Sequence, residues 1–251
     1  MSGHSKWSTI KRKKGAADAK RGQLFTRLAR EIAIAAREGG SDLDANFKLR
    51  LAVDRARKEN MPKDNIERAI KRGTGEDKSG VSIERVTYEG YAAHGIAVMI
   101  NCLTENRNRT VAELKHVLSR GGGSMAEVGS VAWQFSHICF FALPAKGTDF
   151  DAVFEVAVEN GADDITSDEE QIEITGPIEV FKSLNEALRA AGYEPEEVEL
   201  RYTPKQEIAL DTDKTLKVLR IMEDLEDLDD VQSVFSNLEI SDEALKVLET
   251  V

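Results

Sequence analysis

The spacing of apolar residues changes at a glycine-rich segment, and this change constrains the fold more than any other feature. Residues 73–80, Gly-Thr-Gly-Glu-Asp-Lys-Ser-Gly, contain three glycines in eight positions and predict a flexible linker. Before the linker, apolar residues recur at helical spacing; after it, shorter apolar runs with the period of β-strands begin. We therefore expect an α+β chain of several domains, because 251 residues exceed one average domain.

Three amphipathic helices are predicted before the linker, at about residues 17–38, 43–59 and 62–73. In the first, Leu24, Leu28 and Ile32 recur every four residues. Three short amphipathic helices can share one small core. Residues 1–72 are therefore expected to form a basic arm followed by a three-helix domain.

After the linker, residues 81–136 predict a ββαβ unit. Its strands are expected at 84–90, 96–103 and 131–135, and its helix at 107–120. The tail, residues 204–251, adds a helix at 212–226 and a strand at 230–236. A single helix and strand cannot bury their own apolar faces, so we expect the tail to return and complete this α/β domain.

Between these parts, residues 137–203 predict a complete βαββαβ unit, the ferredoxin-like pattern. Its strands are expected at 138–143, 163–166, 171–175 and 197–203, and its helices at 149–160 and 178–191. The predicted fold class is α+β multidomain: an N-terminal three-helix bundle followed by two α/β ferredoxin-like domains, the second inserted into the first.

Charge is divided as sharply as the apolar pattern. Residues 1–72 hold 19 of the 34 basic side chains and 9 of the 45 acidic ones, a net charge of +10. The remaining 15 basic and 36 acidic side chains give -21, so the whole chain is formally -11. A basic head on an acidic protein predicts a polyanionic partner, because bound phosphates release condensed counterions.

The candidate nucleic-acid contacts begin in the N-terminal arm. We expect phosphate contacts from Lys6, Lys11, Arg12, Lys13, Lys14, Lys20, Arg21, Arg27 and Arg30. Trp7 lies inside the arm, where its ring is suited to stack on an unpaired base or to pack the arm onto a helix. Further cations are expected to continue the positive surface over the bundle. The alternative is a solvated terminal charge run without function.

Two further segments invite a phosphate-binding interpretation. Arg107 and Arg109 lie at the expected start of a helix, where they suit a phosphate; equally, they suit pairing with the domain's own carboxylates. The glycines of residues 121–129 lack the Gly-Lys-Ser/Thr of a phosphate loop, so a mobile loop is predicted. The acidic string at 223–230 lacks calcium-loop spacing and predicts a solvated helix end.

Catalytic chemistry is not predicted. His94, His116 and His137 lie in different expected elements, and no nucleophile stands with a recognisable base, so we expect no enzyme, no metal site and no cofactor. Cys102 and Cys139 lie in apolar segments and predict buried thiols. No apolar run reaches the ~18 residues of a membrane span, and a mitochondrial presequence is the less favoured interpretation of the basic start.

Several motifs together resemble the YebC family, which includes the mitochondrial translational activator of cytochrome oxidase. They are Gly3-His4-Ser5-Lys6-Trp7, residues 60–70 (Asn-Met-Pro-Lys-Asp-Asn-Ile-Glu-Arg-Ala-Ile), Tyr88-Glu89-Gly90-Tyr91, residues 106–110 (Asn-Arg-Asn-Arg-Thr), Gly129-Ser130-Val131 and residues 225–231. The resemblance covers nearly the whole chain. It implies a bacterial cytoplasmic protein with a three-helix domain and two α/β domains, of a family described as DNA-binding transcriptional regulators, with other members resembling ribosome-associated translation factors.

The leading hypothesis is a non-enzymatic nucleic-acid-binding regulator of transcription that binds DNA through its basic end. The first alternative is a translation factor that binds ribosomal RNA through the same domain. The second is a module that responds to a small ligand bound by residues 137–203. We expect a cytoplasmic monomer without a membrane partner. The sequence has no helix-turn-helix pattern with base-reading residues on a second helix, so strong sequence specificity is not expected.

Overall fold

The structure is a computed structural model that describes residues 18–76 and 83–250. Its N-terminal part consists of helices α1 (Asp18–Gly39), α2 (Phe47–Lys58) and α3 (Lys63–Gly73). These ranges confirm the three predicted helices. Their shared core contains the leucines and isoleucines that recur at helical spacing, including Leu28, Ile32, Leu49 and Ile66.

The close packing of α1 and α2 depends on Asn46, which is buried. Its Oδ1 accepts the backbone N–H of Leu49 at 3.0 Å and so caps α2. Its Nδ2 donates to the carbonyl oxygens of Ala35 and Gly40, both at 2.8 Å, which closes the end of α1. A Cβ at Gly39 would lie 2.6 Å from this amide, so the glycine allows the approach.

The first sheet has the strand order β3-β1-β2-β9, with every neighbouring pair antiparallel. Its strands are β1 (Glu84–Tyr91), β2 (Ala97–Thr104), β3 (Ser124–Ala126) and β9 (Val231–Ser236). Helices α4 (Arg107–Gly121) and α7 (Thr212–Glu226) cover one face and bury the main core of this unit. The tail therefore joins the sheet as the sequence predicts.

The strand expected at 131–135 is wrong. Residues Ala132–Gln134 form a 3-10 turn instead, and Phe135 begins the first strand of the second sheet. In the first sheet, the place of the expected strand is taken by β3. The alternation of large apolar residues does not bury Trp133, whose side chain is 69% exposed.

The second sheet has the order β5-β6-β4-β7, the ferredoxin-like arrangement expected for a βαββαβ chain. Its elements are β4 (Phe135–Pro144), α5 (Phe150–Glu159), β5 (Asp164–Ser167), β6 (Gln171–Pro177), α6 (Phe181–Ala190) and β7 (Glu197–Pro204). Helices α5 and α6 pack on one face around Phe141, Ile174 and Leu184. The predicted fold class is confirmed.

The chain ends with a short parallel pair, β8 (Ile208–Ala209) with β10 (Leu238–Glu239), and helix α8 (Asp242–Thr250). From the membership of the two sheets we propose the division 1–72, 81–136 with 204–251, and 137–203, joined by a linker at 73–80. Residues 77–82 lie outside the described ranges.

The helical bundle contacts both α/β units. Ala33 and Ile34 of α1 share a small buried cluster with Ile83 and Leu103. On the other side, the Phe47 ring meets the Phe181 ring edge to face, with centroids 5.5 Å apart. Helices in the described ranges are all too short or too polar to cross a membrane.

Candidate nucleic-acid interface

The predicted arm contacts can be placed only in part. Lys6, Trp7, Lys11, Arg12, Lys13 and Lys14 lie outside the described residues. Lys20 belongs to the first turn of α1, where its side chain is not described, and Arg21 is exposed one residue later. The contact of these residues with phosphate stays a prediction.

Exposed cations continue over α2 and α3. Arg57, Lys58, Lys63, Arg68 and Lys71 are all exposed. Arg57 and Lys63 have carboxylates of their own helix at 3.6 Å, those of Asp54 and Glu67. Arg68 and Lys71 have no carboxylate partner within the described part of the chain. Exposed ion pairs are weak, so these side chains can exchange their partners for phosphate.

Arg27 and Arg30, in contrast, contact the protein itself. Arg27 donates to the carbonyl oxygen of Glu226, and Arg30 donates to that of Asp229. Glu226 is the last residue of α7, where backbone oxygens lack helical partners and attract cations, and Asp229 follows three residues later. Burial lowers the pKa of Arg27, partly offset by the nearby carboxylates of residues 226, 227 and 229.

Asp230 is the centre of this contact. Its carboxylate is 1% exposed and lies 3.0 Å from the Arg30 guanidinium. It also accepts the Thr104 hydroxyl at 3.0 Å and the Thr110 hydroxyl at 2.7 Å. Burial opposes ionisation of Asp230, but hydrogen bonds from Arg109, Thr110 and Thr104 and the charge of Arg30 outweigh it, so its pKa lies below the usual value.

Arg107 and Arg109 have the carboxylate partners that the sequence left open as the alternative. Arg109 binds both oxygens of Asp230, at 2.8 and 2.9 Å, and Arg107 donates to Glu84 at 2.6 Å. The hydrogen bond to Asp230 raises the pKa of Arg109. The Arg109 side chain remains 47% exposed, so its contact with a phosphate stays a prediction, as does that of Arg107.

Sequence reasoning missed Asp230. The acidic string at 223–230 was expected to be a solvated helix end, yet its last carboxylate is buried between two arginines and two threonines. One signal was present: Asp230 directly precedes the buried strand residue Val231, so its backbone enters the sheet.

The loop expected at 121–129 is wrong for residues 121–126, whereas residues 127–129 do lie in a turn before β4. Gly122 ends α4 with a φ of 88°, the left-handed conformation that glycine adopts without strain, and Ser124–Ala126 pairs with β1. A Cβ at Gly123 would lie 2.1 Å from the carbonyl oxygen of Tyr91, so this glycine permits the strand to approach. Met125 packs against the core of the first unit. These glycines therefore form a helix cap and a strand start.

A cleft of about 1600 Å³ lies between the bundle and both sheets. The face of the second sheet opposite its helices lines the cleft with Asp164, Glu173, Glu197 and Glu199. The guanidinium of Arg201 lies on this face, 3.2 Å from the Phe140 ring centroid, and donates to Glu199 at 2.7 Å. In many single-strand binding sheets such a face is positive and aromatic, whereas carboxylates here repel phosphate.

The two cysteines are buried, and their surroundings affect the ionisation of both thiols. Burial raises the pKa of Cys102 to about 12 and that of Cys139 to about 11, so both thiols stay protonated at neutral pH. Within residues 18–76 and 83–250, no three His, Cys, Asp or Glu side chains are placed to hold a metal ion.

Comparison with known proteins places this geometry in a family. Residues 5–76 match the model described as the TACO1/YebC protein N-terminal domain, and residues 83–238 match the TACO1/YebC second and third domain. A "probable transcriptional regulatory protein" of Geobacter sulfurreducens is 49% identical over 99% of this chain and 100% of its own length. A protein of the same description from Cupriavidus necator is 49% identical over 96% of this chain and 100% of its own.

A solved structure agrees with these sequence matches. The crystal structure of a conserved hypothetical protein from Aquifex aeolicus superposes with a TM-score of 0.82 at 40% identity, over 90% of this chain and 93% of that one. Both family models together span most of the sequence, in the order of the bundle and the two α/β units. The chain belongs to the TACO1/YebC family.

Proposed function

We propose that this protein is a cytoplasmic, non-enzymatic regulator of transcription that binds DNA through its basic N-terminal end. The observation that carries the proposal is the separation of charge, +10 over residues 1–72 and -21 over the rest. Relatives that match nearly the whole chain are named probable transcriptional regulatory proteins, which supports the same assignment.

The described bundle supports an approach of nucleic acid from this end. Arg68 and Lys71 on α3 are exposed and have no carboxylate partner in the described part. The carboxylates that line the cleft on the second sheet and those at the end of α7 repel phosphate, so the exposed cations of α3 are the favoured point of contact. A dipolar protein of this kind orients before contact, because its field steers the positive end toward the polyanion.

A translation factor that binds ribosomal RNA is the second candidate. The observation in its favour is the position of Trp7 among the arm's cations. Unpaired bases that stack on aromatic side chains are typical of structured RNA. Phosphate contacts alone do not separate the two targets, since both polymers present them.

Crosslinking in cells, followed by sequencing of the recovered DNA and RNA, tests the proposal. Enrichment of chromosomal DNA near promoters supports transcription. Enrichment of ribosomal RNA at one location favours the translation factor and contradicts the DNA assignment. Recovery of neither polymer above the background of cells without the protein would contradict nucleic-acid binding, and equal recovery with a variant that lacks residues 2–14 would contradict binding through the arm.

A further inference from the structure

The turn between β3 and β4 presents two large apolar side chains to solvent. Val128 is 94% exposed and Trp133 is 69% exposed. Within residues 122–137, which the structure describes throughout, they are the large apolar side chains that are mostly exposed. Tryptophan is usually buried over most of its surface, so an indole exposed to this extent is unusual.

The backbone beneath these side chains is held by one buried carboxylate. Glu89 on β1 is 6% exposed and accepts the backbone N–H groups of Gly129, Val131 and Ala132, at 2.6, 2.7 and 2.9 Å. Burial opposes ionisation of Glu89, but these three hydrogen bonds outweigh it and lower its pKa. The loop is therefore anchored to the sheet at three points within four residues.

The indole ring is oriented although it is not buried. Trp133 Nε1 donates to the carbonyl oxygen of Ser130 at 3.0 Å, which fixes the edge of the ring. The ammonium of Lys205 donates to the Trp133 carbonyl oxygen at 2.9 Å and brings a positive charge beside it. A ring fixed before binding loses little conformational freedom when a ligand stacks on it.

We propose that Trp133 is a stacking site for an unpaired base of single-stranded nucleic acid, with Lys205 beside it to contact the phosphate. The inference rests on the proposed nucleic-acid binding and names the part of the polymer that is read. Stacking needs one open aromatic face, which an exposed and oriented indole offers, and a neighbouring cation.

Size decides against a protein partner. A stable protein interface buries about 800 Å² on each side, around a core of several apolar side chains. Val128 and Trp133 stand on either side of the polar Gly129-Ser130 segment and form no such core. One base, in contrast, covers one indole face.

The test uses the fact that the chain contains two tryptophans. In the full-length Trp7→Phe protein, Trp133 is the only indole and reports on its own surroundings. A dye-labelled RNA octamer without secondary structure is titrated and compared with a duplex of the same length. Dye anisotropy measures binding, and indole fluorescence measures stacking. We expect both polymers to bind, and only the single strand to quench Trp133.

Adding Trp133→Ala to this protein is expected to weaken single-strand binding between about 5- and 150-fold, the range for loss of one stacked base (~1–3 kcal/mol). Duplex affinity is expected to stay within about twofold. Phe154→Ala is the matched control, because Phe154 is an aromatic of α5 that is 45% exposed, and it should change neither affinity. Unchanged thermal unfolding shows that the variants are folded.

The outcomes separate the two proposals. Binding of the single strand without quenching, and with equal affinity for Trp133→Ala, overturns the stacking site and leaves nucleic-acid binding intact. Equal quenching by duplex and single strand also overturns it. Absence of binding by any nucleic acid to the parent protein overturns the proposed function and this inference together.

Discussion

At the scale of residues, Asp230 joins parts of the chain that are far apart in sequence. Its carboxylate contacts Arg30 of the bundle and Arg109 of α4, 200 and 121 positions away. The two hydroxyls of Thr104 and Thr110 complete its hydrogen bonds. The carboxylate is 1% exposed, so the loss of a partner would leave a buried charge with fewer compensating groups, and the contact is stabilising only while its partners are present.

Asp230→Asn is expected to lower stability by about 3 kcal/mol at pH 7, because it removes one partner of a buried ion pair. The lowered pKa of Asp230 sets the sign of the pH dependence. The stabilisation is complete above the unfolded pKa of about 3.9 and is lost as pH falls through the lower folded value. Urea unfolding of both proteins between pH 7 and pH 3 should show the difference narrow below about pH 4. A constant difference would contradict the ion pair.

Arginines that contact the protein should differ from those that contact solvent. Arg30→Ala should lower the midpoint of thermal unfolding, because it leaves Asp230 with one cation less. Arg68→Ala with Lys71→Ala should leave unfolding unchanged and flatten the salt dependence of DNA binding by about 1.8, using ~0.9 for each phosphate contact. If Arg30→Ala instead weakened DNA binding and left the unfolding midpoint unchanged, the assignment of Arg30 to an internal contact would be contradicted.

At the scale of elements, periodicity was sufficient wherever a helix or strand buries one face. The ranges of α4, α7 and β9 agree with the predicted ones to within one or two residues. It was insufficient at residues 131–135, where alternation mimics a strand. The backbone there is turned by hydrogen bonds to Glu89, about 40 positions earlier, and no local pattern contains such a contact.

The same limit applies to the candidate site. The cationic character of residues 21–72 is readable in sequence, because charges are exposed by default. Which of these cations are free for a ligand depends on the partner each one meets. Arg27 and Arg30 lie on the side of α1 that faces α7, a fact that follows only from tertiary packing.

Two glycine substitutions test the account of the elements. Gly22 is exposed in the second turn of α1, and a Cβ there meets no atom within 4 Å. Gly22→Ala should therefore raise stability by about 0.5–1 kcal/mol through helix propensity. Gly123→Ala should destabilise, because its Cβ would lie 2.1 Å from the Tyr91 carbonyl oxygen and 2.9 Å from the Ala92 Cα. Chemical unfolding of both variants measures whether each free energy of unfolding rises or falls. A Gly123→Ala variant more stable than the parent protein would refute the close approach of Gly123 to Tyr91.

At the scale of the whole molecule, net charge is divided between residues 1–72, which carry +10, and the rest of the chain, which carries -21. The bundle and its arm carry the positive end, while the second sheet and the end of α7 carry carboxylates into the cleft and the surface around it. Part of the negative charge is used internally: the carboxylates and carbonyls at residues 226–230 hold α1 in place. The negative charge that is not used in this way repels a polyanion and so turns the positive end of the protein toward it.

The most direct measurement of this claim is the salt dependence of duplex DNA binding by the intact protein and by a variant that lacks residues 2–14. The deletion removes Lys6, Lys11, Arg12, Lys13 and Lys14, and replacing Lys146, Lys182, Lys214 and Lys217 by Gln in the intact protein is the control. We predict that the deletion flattens the logarithmic slope by up to about 4.5, while the control leaves it unchanged. An unchanged slope in the deletion variant, or an equal change in the control, would contradict binding through the basic end.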